Sequence, residues 1–127
     1  MNHTTLAKAL FDAFMEGDGD AVRALCASDM SAIQNAGPPM TVDSLIAFAL
    51  SVKRVIPDFR YEQIQRRSTN DGFVEEHSVR GTLPDGTMLD IAACVVAEVR
   101  DGKLIHMREY LDTAAAKGLI RVLSGSR

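Results

Sequence analysis

The sequence predicts an α+β fold, with N-terminal helices packed on one face of a strongly curved antiparallel sheet. Three observations predict it. The first half carries apolar residues at helical spacing, bounded by caps and breakers. The second half carries long β-rich runs separated by Asn-Asp-Gly, Pro-Asp-Gly and Asp-Gly turns. The stretch from Thr87 to Asp112 reads as a hairpin, TMLDIAACVVAEV and LIHMREYLD on either side of Asp101-Gly102. Asp-Gly between such runs is the strongest short-range hairpin signal.

Each element has its own justification. Thr4 or Thr5 can cap a first helix to about Met15, with Leu6, Leu10, Ala13 and Phe14 on one face. Gly17-Asp18-Gly19-Asp20 breaks it, and Asp18 or Asp20 caps a second helix that ends at Ser28-Asp29. Met30 to Asn35 is a short extended piece, stopped by Gly37-Pro38-Pro39. Thr41 caps a third helix, with Asp43 in its first turn where the dipole favours an acid, and Pro57 stops it at or before Ile56. Strands are expected over Phe59–Arg67 and Phe73–Leu83, followed by the hairpin. A short last helix starts at Asp112 or Thr113, and the tail from Leu123 to Arg127 is expected to fray.

The totals narrow the function. The 127 residues suit one domain, 1–127, large enough to bury a real core. A net charge of −3 argues against nucleic acid or an anionic membrane as the main partner. No apolar run approaches a membrane span, and MNHTTLAKAL shows no secretory pattern, so a cytoplasmic location is expected. Cys26 and Cys94 lie far apart in apolar surroundings without metal-ligand spacing. They read as buried thiols. Neither a metal nor a cofactor is implied, because no tight His/Asp/Glu cluster appears. Val95, Val99 and Tyr110, or their neighbours by one, are too apolar for a wet outer face, so a homodimer through that face is expected.

The order of elements resembles the cone-shaped NTF2-like superfamily, and in particular the SnoaL-like polyketide cyclases and limonene epoxide hydrolases. The resemblance rests on Gln34-Asn35 before Pro38-Pro39, Leu83-Pro84-x-Gly86, Asp101-Gly102-Lys103 and Arg108-Glu109-Tyr110-Leu111-Asp112. It covers nearly the whole chain. It implies a deep apolar pocket between sheet and helices with a few polar groups at its bottom. The epoxide hydrolases use an Asp-Arg-Asp triad, with a Tyr and an Asn helping to hold water. By this resemblance Asn35 matches the Asn and Glu109 matches the closing-strand Asp. Ile33 stands where the Tyr would be, Glu76 where the Arg would be, and Ser78 where the other Asp would be.

Glu109 is the principal candidate. A two-residue Asp101-Gly102 turn pairs Ile105, Met107, Glu109 and Leu111 with Glu98, Val96, Cys94 and Ala92 on one mainly apolar, covered face. Desolvation disfavours the charged form of an acid there, which suits a general acid or base. The alternative is an ion pair with Arg108 or with a helix Arg or Lys. The neighbouring strand is ambiguous by one residue. A three-residue Pro-Asp-Gly loop puts Glu76 and Ser78 beside Cys94 and Ala92 on the pocket side. A two-residue turn puts Glu75, His77 and Val79 there instead. Asn35 orients water or a carbonyl, or is a turn residue. Phe14, Phe48, Phe59 and Met107 form core and pocket wall, and Arg66-Arg67 is a solvated edge. The expected function is cofactor-free acid/base chemistry on a small apolar organic molecule (isomerisation, cyclisation or water addition), with Glu109 as the acid/base and Glu76 or His77 as its partner. The alternatives are a non-catalytic ligand-binding or dimerisation module, and an epoxide hydrolase with a rearranged site.

Overall fold

The computed structural model describes residues 2–125. In chain order it has α1 (Thr4–Glu16), α2 (Gly19–Leu25), β1 (Cys26–Gln34), α3 (Val42–Val55), β2 (Arg60–Ser68), β3 (Gly72–Thr82), β4 (Met88–Arg100), β5 (Lys103–Leu111) and α4 (Lys117–Gly125). The strands form one sheet in the order β1-β5-β4-β3-β2. β2 to β5 are an antiparallel meander, as expected, while β1 adds to the far edge parallel to β5.

The helix starts follow local chemistry. α1 has no side-chain cap from His3, contrary to the Thr expectation; Asn2 Oδ1 instead accepts from the Thr4 N–H. Gly17 ends α1 with a left-handed φ of 66°, which places the Asp18 N–H on the Ala13 carbonyl. Asp18 caps α2 through the Ala21 N–H, and Thr41 caps α3 through the Ser44 N–H, as expected. α2 stops at Leu25 rather than Ser28-Asp29, because the chain joins the sheet at Cys26 and β1 is longer than the short extended piece expected. Asp112 accepts from the Ala114 and Ala115 N–H groups in a turn, and α4 begins only at Lys117. Residues 123–125 continue that helix, and the rest of the expected frayed tail, 126–127, lies outside the described residues.

One sheet face takes the helices. Phe11, Phe14, Leu45, Phe73, Val95 and Met107 belong to one buried cluster; Ile56, Val79, Leu89, Ile91 and Leu119 belong to a second. Two irregularities set which side chains join that face. β2 is interrupted between Glu62 and Gln65, with Gln63 at φ 55°. β5 carries an extra residue, because Val99 pairs with Leu104 but Glu98 pairs with His106.

Candidate active site

The bulge at Ile105 places the site's central acid. Asp101 and Gly102, at φ 53° and 75°, make the two-residue turn that the sequence predicts. Beyond it the extra residue in β5 shifts the pairing by one, so Glu109 faces Val95 and Met107 faces Ala97. Leu104, Met107, Val95 and Ala97 are all buried. The covered set of β4 is therefore Leu89, Ile91, Ala93, Val95 and Ala97, not Ala92, Cys94, Val96 and Glu98. Glu109 keeps its expected side while its neighbours change. β4 carried a sign of this: both of its acids, Asp90 and Glu98, fall on the even, outward register.

A cavity of about 90 Å³ lies where the two core clusters meet. Phe11 and Phe14 from α1, Leu45, Phe48 and Val52 from α3, and Leu119 from α4 form its helical wall. Phe59, Tyr61, Val79, Ile91, Val95, Met107 and Leu111 form its sheet wall. Its polar groups are Glu109, Gln34 and Tyr61. Gln34 sits opposite Glu109 in the parallel β1–β5 pair, and its Nε2 donates to Glu109 Oε1 at 2.8 Å. Among the described residues no cation pairs with Glu109. Arg108, the alternative partner, bonds Glu98 on the outer face at 3.0 Å. Burial holds the Tyr61 hydroxyl well above its ordinary pKa, and the Glu109 and Glu75 carboxylates push it the same way. The Tyr61 hydroxyl therefore stays neutral and keeps its proton to donate. Gln34 and Tyr61 were not singled out from the sequence as site residues. Gln34 could have been, since it alternates onto the same face of β1 as buried Ala32.

Several expected site residues lie elsewhere. The Pro84-Asp85-Gly86 loop has three residues, with Gly86 at φ 89°, and pairs Glu76 with Cys94 and Ser78 with Ala92 as that loop predicts. The β5 bulge, however, turns Cys94 and Ala92 outward. Glu76, Ser78 and Cys94 consequently line a shallow depression on the outer face with Tyr110, not the apolar cavity. Glu76 is exposed. Ile33 pairs with Arg108, one step out of register with the inward Ala32 and Gln34, and is not in the cavity wall. Asn35 is a turn residue at φ 49°; its Oδ1 accepts from the Leu111 N–H and its own N–H donates to the Glu109 carbonyl. Its side chain is thus committed to the backbone of β5. Met107, Phe14 and Phe48 line the cavity as expected. Val95 is fully buried and Val99 packs against the core, so the outward residue beside Tyr110 is the neighbour by one, Val96.

His77 comes to the covered side together with Glu75. Glu75 is 0% exposed and His77 4%. His77 Nδ1 lies 2.6 Å from Glu75 Oε2, and Arg66 Nε donates to Glu75 Oε1 at 2.5 Å. Arg66 reaches inward because the β2 irregularity shifts its pairing, placing it opposite Glu75. It is not the solvated edge residue expected. The His77 ring packs on Tyr61, with centroids 4.4 Å apart, and on Phe11 at 5.1 Å.

Comparison with known proteins fits this architecture. The chain is similar to IdmH of Streptomyces antibioticus, a candidate polyketide cyclase, at 20% identity and a TM-score of 0.79 over 94% of this chain and 98% of that one. It is similar to a candidate polyketide cyclase of Pseudomonas putida at 23% identity and a TM-score of 0.78, covering 91% and 95% of the two chains. A protein from Catenulispora acidiphila with a ketosteroid isomerase-like fold matches at 16% identity and a TM-score of 0.73, over 83% of each chain. No curated protein matches the sequence significantly. No described helix is long and apolar enough to cross a membrane. The model of the SnoaL-like domain matches residues 7–107, from within α1 to within β5. With that match on this fold, the chain belongs to the SnoaL-like domain family.

Proposed function

We propose that this protein carries out cofactor-free acid/base chemistry, an isomerisation, cyclisation or water addition, on a small apolar organic molecule held in the cavity. One observation carries the reading. The Glu109 carboxylate stands in an apolar wall, held by a neutral amide rather than by a cation. An acid kept for stability is normally paired. An acid held by a neutral donor in an apolar wall is suited to exchanging protons. Glu109 takes a proton from a carbon beside a carbonyl and returns it at another position. Gln34 fixes the carboxylate's orientation, and the Tyr61 hydroxyl donates to the oxygen that gains charge. Family membership supports the cyclase or isomerase class. The cavity wall has one carboxylate and no arginine, so the epoxide hydrolase triad has no counterpart there.

The test is deuterium uptake by small cyclic ketones and enones in D₂O, followed by proton NMR. The parent should exchange at least one of them at the carbon beside the carbonyl, and Glu109→Gln should lose about 100-fold or more. A parent that binds these compounds without exchanging any would instead be a binding module. A homodimer through the outer sheet face belongs to the same reading, supported by half-exposed Tyr110 beside Cys94 and Val96. Light scattering after size exclusion tests it, and a monomer at 0.1 mM would end it.

A further inference from the structure

His77 Nε2 has no use in that chemistry. It is a fully buried nitrogen without a hydrogen-bond partner. A buried polar atom left unpaired is costly, and native interiors rarely keep one without a reason. The other ring nitrogen is well provided for. Glu75 offers one carboxylate oxygen to His77 Nδ1 and the other to Arg66. A carboxylate only accepts, so Nδ1 is the donor, and the tautomer protonated there carries its lone pair on Nε2. The two nitrogens stand on opposite flanks of an imidazole, so Nε2 is turned away from Glu75. The rings over His77 are Phe11 and Tyr61, and both line the cavity. The next inward residue of the strand, Val79, lines it too. Tyr61 lies in the cavity wall and its ring packs on His77, so it separates the cavity from this second polar set.

We infer that His77 Nε2 is the acceptor for a hydroxyl or enol of the cavity's ligand, reached when the Tyr61 and Phe11 rings part. The inference deepens the proposed function by naming the ligand's chemistry: an apolar body with an O–H donor at the end that meets β3. The space of about 90 Å³ is smaller than a drug-sized ligand needs, so the wall must move to admit one. Among the described residues His77 Nε2 is the buried side-chain nitrogen left without a partner, and parting these two rings would open the existing space toward it. Arg66 and Glu75 are positioning residues in this arrangement, because they fix the tautomer and touch no ligand.

The test uses phenol and anisole, which share an apolar body and differ in the donor. Protein labelled with ¹⁵N at histidine is titrated with each, and the His77 signals are identified by their loss in His77→Phe. In the free parent Nε2 should appear unprotonated. Phenol should move the Nε2 resonance upfield, as acceptance of a hydrogen bond does, and anisole should leave it in place. Phenol should bind about tenfold tighter than anisole, an advantage that disappears in His77→Phe and survives in Glu109→Gln. A proton on Nε2 of the free neutral ring, an unmoved resonance with phenol, or equal affinity for the two probes overturns the inference. So does an advantage abolished only by Glu109→Gln. Neither readout involves turnover. Retained phenol selectivity without carbon–hydrogen exchange defeats the proposed chemistry alone, and exchange without phenol selectivity defeats this inference alone.

Discussion

Glu109 and Glu75 lie on the same sheet face, and replacing each by leucine should move stability in opposite directions. Glu109 has one neutral partner, Gln34, which is itself half-buried and can turn to water. Leucine at 109 would add ~50 Å² of apolar area to an apolar wall, worth ~1.3 kcal/mol at ~25 cal/mol per Å². The lost hydrogen bond costs ~0.5 kcal/mol at a half-exposed site. The net is a gain of about 1 kcal/mol. For a chain of this length that raises the melting temperature by about 4 °C. Glu75 is different. It is fully buried, and its removal strands Arg66, whose side chain is 17% exposed, and the Nδ1 proton of His77. Breaking such a set by removing one member costs about 3 kcal/mol, or about 11 °C. The assay is thermal melting followed by circular dichroism at fixed pH and salt, with Glu109→Gln as an isosteric control expected within about 0.5 kcal/mol of the parent. A Glu109→Leu protein that melts as far below the parent as Glu75→Leu would refute the reasoning. Glu109 would then be a structural acid, and the proposed chemistry would lose its base.

Three further outcomes follow from the geometry. Asn35→Ala should cost about 1–2 kcal/mol in urea unfolding, because it removes the acceptor of the Leu111 N–H and puts alanine at φ 49°; no loss would mean that the turn is held by other contacts. Gly72→Ala should unfold the protein or cost well over 3 kcal/mol, since a Cβ there would overlap the Ala97 carbonyl of the paired strand; a normal melt would show that β3 and β4 can separate locally. Burial pushes the Cys26 thiol up to about 11 from 9.0, so the unfolded chain ionises first. Stability from this group is therefore intact below pH 9 and falls as pH rises toward 11, by up to about 2 kcal/mol. Cys26→Ala should flatten that part of the pH–stability curve relative to the parent, and an unchanged slope would show that the thiol is not desolvated.

The sequence by itself determined the class of the fold, the order of its helices and the meander, because those depend on local signals. Asp18 and Thr41 cap, Gly17 and Pro57 stop helices, and Asp101-Gly102 and Pro84-Asp85-Gly86 turn strands in the ways their chemistry requires. It also singled out Glu109, since an acid between Met107 and Leu111 on an alternating strand must lie with them. The tertiary structure alone decided which residues share Glu109's surroundings. A bulge is one residue that the partner strand does not match, and nothing in the run Leu104-Ile105-His106 marks Ile105 as that residue. The bulge at Ile105 sent Glu76, Ser78 and Cys94 outward and brought Glu75 and His77 in, although the β3–β4 loop is the three-residue one that pairs Glu76 with Cys94. The irregularity in β2 turned Arg66 inward to meet Glu75, and parallel addition of β1 placed Gln34 against Glu109. Side chains alternate with a period of two, so one extra residue reverses every assignment beyond it. Only the paired sheet shows where that residue falls.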